Sequence, residues 1–234
     1  MLLSIQPRNA IINDTNSELI NVWCQIRENP NAVIRIIKEY DSKACDKARY
    51  LMMRNAYNDK IMRRELDATC AALFIWLNKH CFNGLYRVNS KGLFNVPYNN
   101  KERGESVDEE NIRQIGQYLK QHDIEILNED FESACKNVQP GDFVYFDPPY
   151  IPLSATANFT TYSKDGFSYK DQLRLAALAK KLDAAGAKVM LSNHDVGQVY
   201  ELYDGFKIES IDVRRAINRD STKRVGKEVI ITNY

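Results

Sequence analysis

Short, nearly continuous apolar runs alternate along this chain with segments of helical periodicity, and this alternation restricts the fold more than any other feature. Ala10-Ile11-Ile12-Asn13-Asp14 reads as a short buried strand ending in an acidic residue. Asp123 to Leu127, Asp142-Phe143-Val144-Tyr145-Phe146, Lys188-Val189-Met190-Leu191-Ser192, Phe206 to Val213 and Glu228 to Thr232 read as further strands. Between them, Ser17 to Glu28 places Leu19, Ile20, Trp23 and Ile26 on one helical face. The helical signal continues at Ala32 to Tyr40 and returns at Asn111 to His122 and Tyr169 to Ala184, after which Gly186 takes the C-terminal capping role. Asp41 to His80 reads as two or three helices, and Glu129 to Val138 as a short helix or turn. Phe82 to Pro97, rich in Asn, Gly and aromatic residues, reads as a hairpin or loop, and Gly104 to Glu110 as an acidic loop. Strands of this kind alternating with helices predict an α/β fold, its sheet mostly parallel and covered on both faces. Such sheets bind ligands beyond the carboxyl ends of their strands. Two of the strands end there on a carboxylate, Asp14 and Asp147.

At 234 residues, the chain suffices for one good-sized domain, or for one domain with a smaller insertion. It has no apolar run near the length of a membrane span, and Met1 to Gln6 is too short and too uncharged for a signal peptide. Five scattered cysteines (Cys24, Cys45, Cys70, Cys81 and Cys135), none in a C-x-x-C pair, argue against a disulfide framework or a zinc site and suit a reducing cytoplasm. The three histidines, His80, His122 and His194, lie far apart, so no metal site is expected.

The net charge of +1 hides an asymmetry. Asp46 to Arg103 carries 11 Lys/Arg against 5 Asp/Glu, whereas Gly104 to Asp142 carries 3 against 10. A basic segment in a neutral protein suggests a local footprint for a polyanion, although charge runs are often only solvated faces.

Asp147-Pro148-Pro149-Tyr150 is the most informative tetrapeptide. Two consecutive prolines lack backbone donors and fix φ near −65°, so the loop is rigid and its carbonyls are expected to face outward as acceptors. A carboxylate before them and an aromatic ring after them make a pocket suited to a planar group bearing an NH₂. The carboxylate and a proline carbonyl each accept one N–H, which draws the nitrogen lone pair out of conjugation and aims it at an electrophile. The plain alternative is a proline turn after a strand. The apolar strand before it and the tyrosine after it favour the pocket.

The tetrapeptide resembles the catalytic motif of amino-group methyltransferases that act on nucleic acids. The resemblance extends to the DNA adenine methylase (Dam) family through Asn13-Asp14-Thr15-Asn16-Ser17-Glu18-Leu19-Ile20, Asn83-Gly84-Leu85-Tyr86-Arg87-Val88-Asn89 and Gly92-Leu93-Phe94-Asn95-Val96-Pro97. Phe159 to Phe167, Asp171-Gln172, Ser192-Asn193-His194-Asp195 and Glu228 to Tyr234 also fit, so the resemblance covers essentially the whole chain in order. It implies a class I methyltransferase (Rossmann-like) α/β fold with a mixed sheet. Residues 1–40 and 106–234 would form the catalytic domain, and 41–105 an inserted, mainly helical target-recognition region.

The resemblance also implies S-adenosylmethionine as cofactor, double-stranded DNA as substrate, and adenine-N6 methylation of a short site, with GATC the leading sequence. Asp147 and the Pro148 carbonyl would hold the target amino group, with Pro149 completing the rigid turn and Tyr150 stacking on the flipped base. Asp14 would bind the cofactor ribose, Asp130 and Phe131 would lie near its adenine, and Asp147 would also touch the cofactor. The residues carried over to DNA are Phe82 and Asn83, inserting where the base leaves; Arg87, reading a guanine edge or clamping a phosphate; and Asn89, Lys91 and Asn95, contacting backbone or bases. The order of motifs is that of the alpha group of these enzymes. A monomer is expected, with a cognate restriction endonuclease as a conceivable partner.

Two departures stand out. Asn99 occupies a position where the family often has glycine, and Asn tolerates positive φ almost as well. The family's first strand and F-x-G-x-G loop have no counterpart before Ile11, which leads to the expectation of a truncated or misassigned start and of weak cofactor binding by this chain alone. The rival readings are a catalytically impaired DNA-binding fragment and an RNA or protein amide methyltransferase.

Overall fold

The computed structural model describes residues 1–101, 105–153, 166–214 and 225–234. The chain divides into two units, Met1–Asp130 and Phe131–Tyr234.

The first unit contains α1 (Leu2–Ile5), β1 (Asn9–Asn13), α2 (Ser17–Glu28), α3 (Pro30–Asp41), α4 (Lys47–Arg63), α5 (Ala68–His80), α6 (Glu109–Gln121) and β2 (Asp123–Leu127). Four of these helices start at an Asn or Asp whose side chain accepts a backbone N–H three residues on: Asn16 from Leu19, Asp46 from Arg49, Asp67 from Cys70 and Asp108 from Asn111. The 41–80 segment forms two helices, because α4 stops where Arg64 turns left-handed (φ 57°) and Asp67 caps the start of α5. Buried on most sides through Cys70, Ala71, Ala72, Leu73, Trp76, Leu77 and His80, α5 packs against α2, α3 and α4. The helices of the predicted insertion therefore share one core with the helices that precede it.

An acidic buckle ties the two ends of that insertion. Asp41 accepts hydrogen bonds from the Ser106 N–H (2.6 Å), the Ser106 hydroxyl (2.7 Å) and the Trp76 indole N–H (3.0 Å). Trp76 is fully buried and lies against His80, ring centroids 4.1 Å apart. Strands β1 and β2 pair in parallel, from Asn9 opposite Asp123 to Asn13 opposite Leu127.

The second unit contains α7 (Phe131–Ala134), β3 (Phe143–Phe146), α8 (Tyr169–Ala184), β4 (Lys188–His194), α9 (Gly197–Leu202), β5 (Lys207–Arg214) and β6 (Val225–Thr232). Its sheet runs β3-β4-β6-β5. β3 and β4 are parallel, but β6 is antiparallel to both its neighbours, so the sheet is mixed, as the family resemblance implied, rather than mostly parallel, as the alternation alone suggested. Period-two alternation sends Val144, Phe146, Val189, Leu191, Val229 and Ile231 to one face, where they pack with Leu175, Ala179 and Leu182 of α8 and Val199 of α9. The opposite face carries Tyr145 and Met190 in register, with Ser192 two residues further along β4. A capping box between Ser168 and Asp171 starts α8. Gly186 follows its end at φ 84°, where an added Cβ would also sit 3.3 Å from Pro140 Cβ.

No helix among the described residues is long and apolar enough to cross a membrane, and no group of three or more His, Cys, Asp or Glu among them could hold a metal ion.

Candidate active site

The tetrapeptide Asp147-Pro148-Pro149-Tyr150 leaves the carboxyl end of β3, where the sequence predicted it. Its geometry is held by residues from β4 and α8. Ser192 donates its hydroxyl to Asp147 Oδ1 at 2.9 Å, and Tyr145 Oη lies 3.2 Å from Ser192 Oγ. Asn193, 1% exposed, accepts the backbone N–H of Ile151 at 2.9 Å. His194 Nδ1 lies 2.7 Å from the Ile151 carbonyl, which can only accept, so this ring nitrogen carries the proton. The His194 ring meets Tyr150 edge to face at 5.0 Å. From α8, buried Gln172 donates to the Pro149 carbonyl at 2.7 Å. That corrects the expectation that both proline carbonyls face outward, because Pro149's is occupied from within.

Tyr150 donates a long hydrogen bond to Glu228 at 3.4 Å. Burial pushes its hydroxyl pKa up, and the negative charges of Glu228 and Asp147 add to the rise. The phenol therefore stays protonated, and its ring remains a neutral stacking face. Asp147 is exposed at the rim of this cluster, with Oδ1 engaged by Ser192. A carboxylate so placed can accept hydrogen bonds from an amino group, the chemistry the tetrapeptide suggested.

Sequence reading had noted Ser192, Asn193, His194 and Gln172 only as segments of a resemblance and had assigned them no role. The only local signal was polar residues at the end of an otherwise apolar strand and on the inner side of a helix.

In the first unit, Asp14 lies at the carboxyl end of β1, where the sequence placed it, Asp130 follows β2 by three residues, and both are half-buried. The loops after the two strands are laced together. Asn13 donates to the Glu129 carbonyl and accepts its N–H, each at 2.9 Å, and Asn128 donates to the Asp14 carbonyl at 2.8 Å. Asp14 Oδ1 accepts the Asn16 N–H at 2.7 Å, an Asx turn at the start of α2. Part of the Asp14 carboxylate thus performs the helix-start role. Phe131, in the second unit, packs near Phe167 at 5.9 Å and carries the Arg174 guanidinium 4.8 Å from its ring centre.

The predicted hairpin is less regular than a ladder. It contains a 3-10 turn at Phe82–Gly84 and isolated antiparallel bridges joining Cys81 with Tyr98 and Val88 with Phe94. Phe82 and Asn83 are exposed at that turn, with Asn83 in the left-handed region at φ 56°. Asn89 folds its Oδ1 back onto the N–H groups of Lys91 (2.9 Å) and Leu93 (3.1 Å), so its carbonyl builds the turn. Lys91 is exposed on that turn. Arg87 donates from Nε to Asn95 Oδ1 at 2.7 Å and from Nη2 to the Asn95 carbonyl at 3.2 Å. The two predicted DNA contacts are therefore paired with each other.

Helix α4 splints the second arm of this hairpin. Asn58 both donates to the Phe94 carbonyl (3.0 Å) and accepts its N–H (2.9 Å), while Tyr50 donates to the Val96 carbonyl at 2.8 Å. Arg54 also donates to the Val96 carbonyl, at 3.3 Å. One helical step of four residues advances about 6 Å, close to two residues of extended chain, so a single helix face meets alternate residues of the arm. Asn95, between these anchors, is left to meet Arg87.

A family model for D12 class N6 adenine-specific DNA methyltransferases matches residues 1–217. The chain is 44% identical over 236 residues to the Type II methyltransferase M1.LlaDCHI of Lactococcus lactis subsp. cremoris, covering all of this chain and 82% of that protein. It is 38% identical over 247 residues to the Type II methyltransferase M.MjaIII of Methanocaldococcus jannaschii, covering all of this chain and 83% of that protein. It is 32% identical over 228 residues to the DNA adenine methylase of Serratia marcescens, covering 96% of this chain and 81% of that protein. The fold is that of a class I methyltransferase-like enzyme. The chain belongs to the D12 class of N6 adenine-specific DNA methyltransferases.

Proposed function

We propose that this protein transfers the methyl group of S-adenosylmethionine to adenine N6 in a short palindromic duplex site containing GA, with GATC the leading sequence. The observation that carries the reading is the rigid Asp147-Pro148-Pro149-Tyr150 turn, with the Asp147 carboxylate set by Ser192 at the exit of β3. Asp147 and the Pro148 carbonyl accept the two N–H bonds of the flipped adenine's amino group, and Pro149, tied to Gln172, keeps the turn rigid. Tyr150 stacks on the base.

The cofactor fits the donor set at the end of β1 and β2: two half-buried carboxylates suit ribose hydroxyls and an adenine amine. Asp14 takes the ribose and Asp130 the adenine. When bound, S-adenosylmethionine supplies an electrophilic methyl group. Everything else is done by the chain's own residues, which position the amino nitrogen and deconjugate its lone pair.

Residues 41–105 form the recognition element. Arg87, held by Asn95, presents its remaining guanidinium edge to a guanine. Phe82 and Asn83 fill the space the adenine vacates, and Asn89, Lys91 and Asn95 contact the adjoining DNA.

Mapping methylated adenines by single-molecule sequencing in cells expressing the full-length protein tests the site; modified positions without a common GA step would overturn the hairpin assignment. Arg87→Ala should relax discrimination at one guanine by about 1–3 kcal/mol. Unchanged discrimination, measured as relative kcat/KM on single-base site variants, would remove Arg87 from that role. Tyr150→Ala should weaken retention of the flipped base by about 1–3 kcal/mol. A 2-aminopurine fluorescence titration at the target position reads this directly, and an undiminished signal would count against stacking.

A further inference from the structure

The polar face of the β3–β4 pair carries a relay of hydroxyls that ends on Asp147. Tyr145 and Asp147 alternate to the same side of β3, and Ser192 lies on the matching side of β4, two residues beyond the Met190 that faces Tyr145. Ser192 Oγ is 2.9 Å from Asp147 Oδ1 and 3.2 Å from Tyr145 Oη. The direction of the chain follows from donor counting. A carboxylate only accepts, and serine has one O–H, so that proton is committed to Asp147. Tyr145 must then donate to Ser192. The result is a one-way chain, Tyr145 to Ser192 to Asp147, in which each bond polarises the next.

We propose that Ser192, supported by Tyr145, is the positioning residue that fixes the Asp147 carboxylate for the target amino group. With Oδ1 held by Ser192, rotation of the carboxylate is restrained and Oδ2 is the oxygen presented to the incoming N–H. Asp147 is exposed and sits on a loop. Its orientation consequently depends on such a bond, because packing does not hold the side chain. Ser192 lies within the seven-residue strand β4, which is paired on both sides, by β3 and β6, and so offers the rigid support the loop lacks. This inference rests on the assignment of Asp147 as the acceptor of the amino group.

The test compares Ser192→Ala, Ser192→Thr, Tyr145→Phe and the Tyr145→Phe/Ser192→Ala double variant in the full-length protein. Each is assayed for kcat in single turnover, for DNA affinity and for 2-aminopurine fluorescence at the target base. Ser192→Ala should lower kcat by about tenfold or more, the size expected for a hydrogen bond to a charged group. DNA affinity and the flipping signal should stay unchanged. Ser192→Thr, which keeps the hydroxyl, should recover most of the rate. Tyr145→Phe should cost a few-fold alone and nothing further in the Ser192→Ala background, because it acts through Ser192.

Wild-type kcat in Ser192→Ala, no rescue by threonine, or an additive Tyr145 effect would overturn the proposal. If Ser192→Ala melts early, the threonine and Tyr145→Phe variants decide it by the same criteria. Asp147→Ala is the control: if it stays active, the assignment of Asp147 itself fails. An inactive Asp147→Ala beside a fully active Ser192→Ala overturns only the positioning role.

Discussion

Replacing Asp147 by alanine is expected to slow methylation by at least about a hundredfold while DNA binding survives, the scale seen when a preorganised polar group at a reacting centre is removed. The argument is one of hydrogen-bond supply. An adenine amino group donates its nitrogen lone pair into the ring, and deconjugation requires acceptors for both N–H bonds. Pro149's carbonyl is already taken by Gln172, which leaves Asp147 and the Pro148 carbonyl as the pair available in the turn. Removing Asp147 leaves one acceptor and a freely rotating amino group. Asp147→Asn should fall between, since its amide oxygen still accepts but its NH₂ competes for Ser192. Binding should persist because the DNA contacts assigned to the hairpin do not involve Asp147. Single-turnover rates beside a binding titration check both halves. Residual activity within about tenfold of wild type would mean that the acceptor lies elsewhere.

Trp76→Ala should destabilise the first unit by about 3–5 kcal/mol, the usual cost of deleting a fully buried tryptophan. Domains of this size have about 5–15 kcal/mol in total, so the variant should lose a large share of its stability. The change opens a cavity where α5 meets the rest of the core and strips one of three donors from Asp41. Because Asp41 also binds Ser106, the loss loosens the point where the 41–105 segment closes on itself. Trp76→Phe should cost less. It keeps an aromatic ring against Tyr40 and His80, and Asp41 retains both Ser106 donors. Urea unfolding followed by circular dichroism measures the difference, and a loss below about 1 kcal/mol for Trp76→Ala would show that the buckle is not a structural keystone.

The strands were legible because an apolar run of four or five residues bounded by turn formers has few other readings, as at Ile124 and across Val144 to Phe146. Helix starts were legible where an Asx residue precedes an apolar pattern, as at Asn16. The six-residue α9 was missed because it is too short to show two turns of periodicity. The sense of β6 could not be read from its own residues for a different reason. Period-two alternation is the same for parallel and antiparallel strands, so only the path of the chain decides pairing.

The same division applies to the site. The Asp147-Pro148-Pro149-Tyr150 turn could be read locally, because its stiffness and chemistry lie within four consecutive residues. Asp14 could be placed at a strand end by the same kind of local reasoning, whereas Asp130 came only through the family resemblance. What the sequence determined by itself was therefore the α/β class, the strand ends at Asp14 and Asp147, the rigid Asp-Pro-Pro-Tyr turn and the family. What only tertiary structure decided was how those groups are held: Ser192 on Asp147, Gln172 on Pro149, Asn95 on Arg87, Asn58 on Phe94 and Ser106 on Asp41. Four of these contacts span 23 to 65 residues, and even Asn95 reaches across eight. A serine or an amide gives no sign in sequence of which distant acceptor it will meet, because hydrogen bonds depend on angle and distance, which only the folded chain supplies.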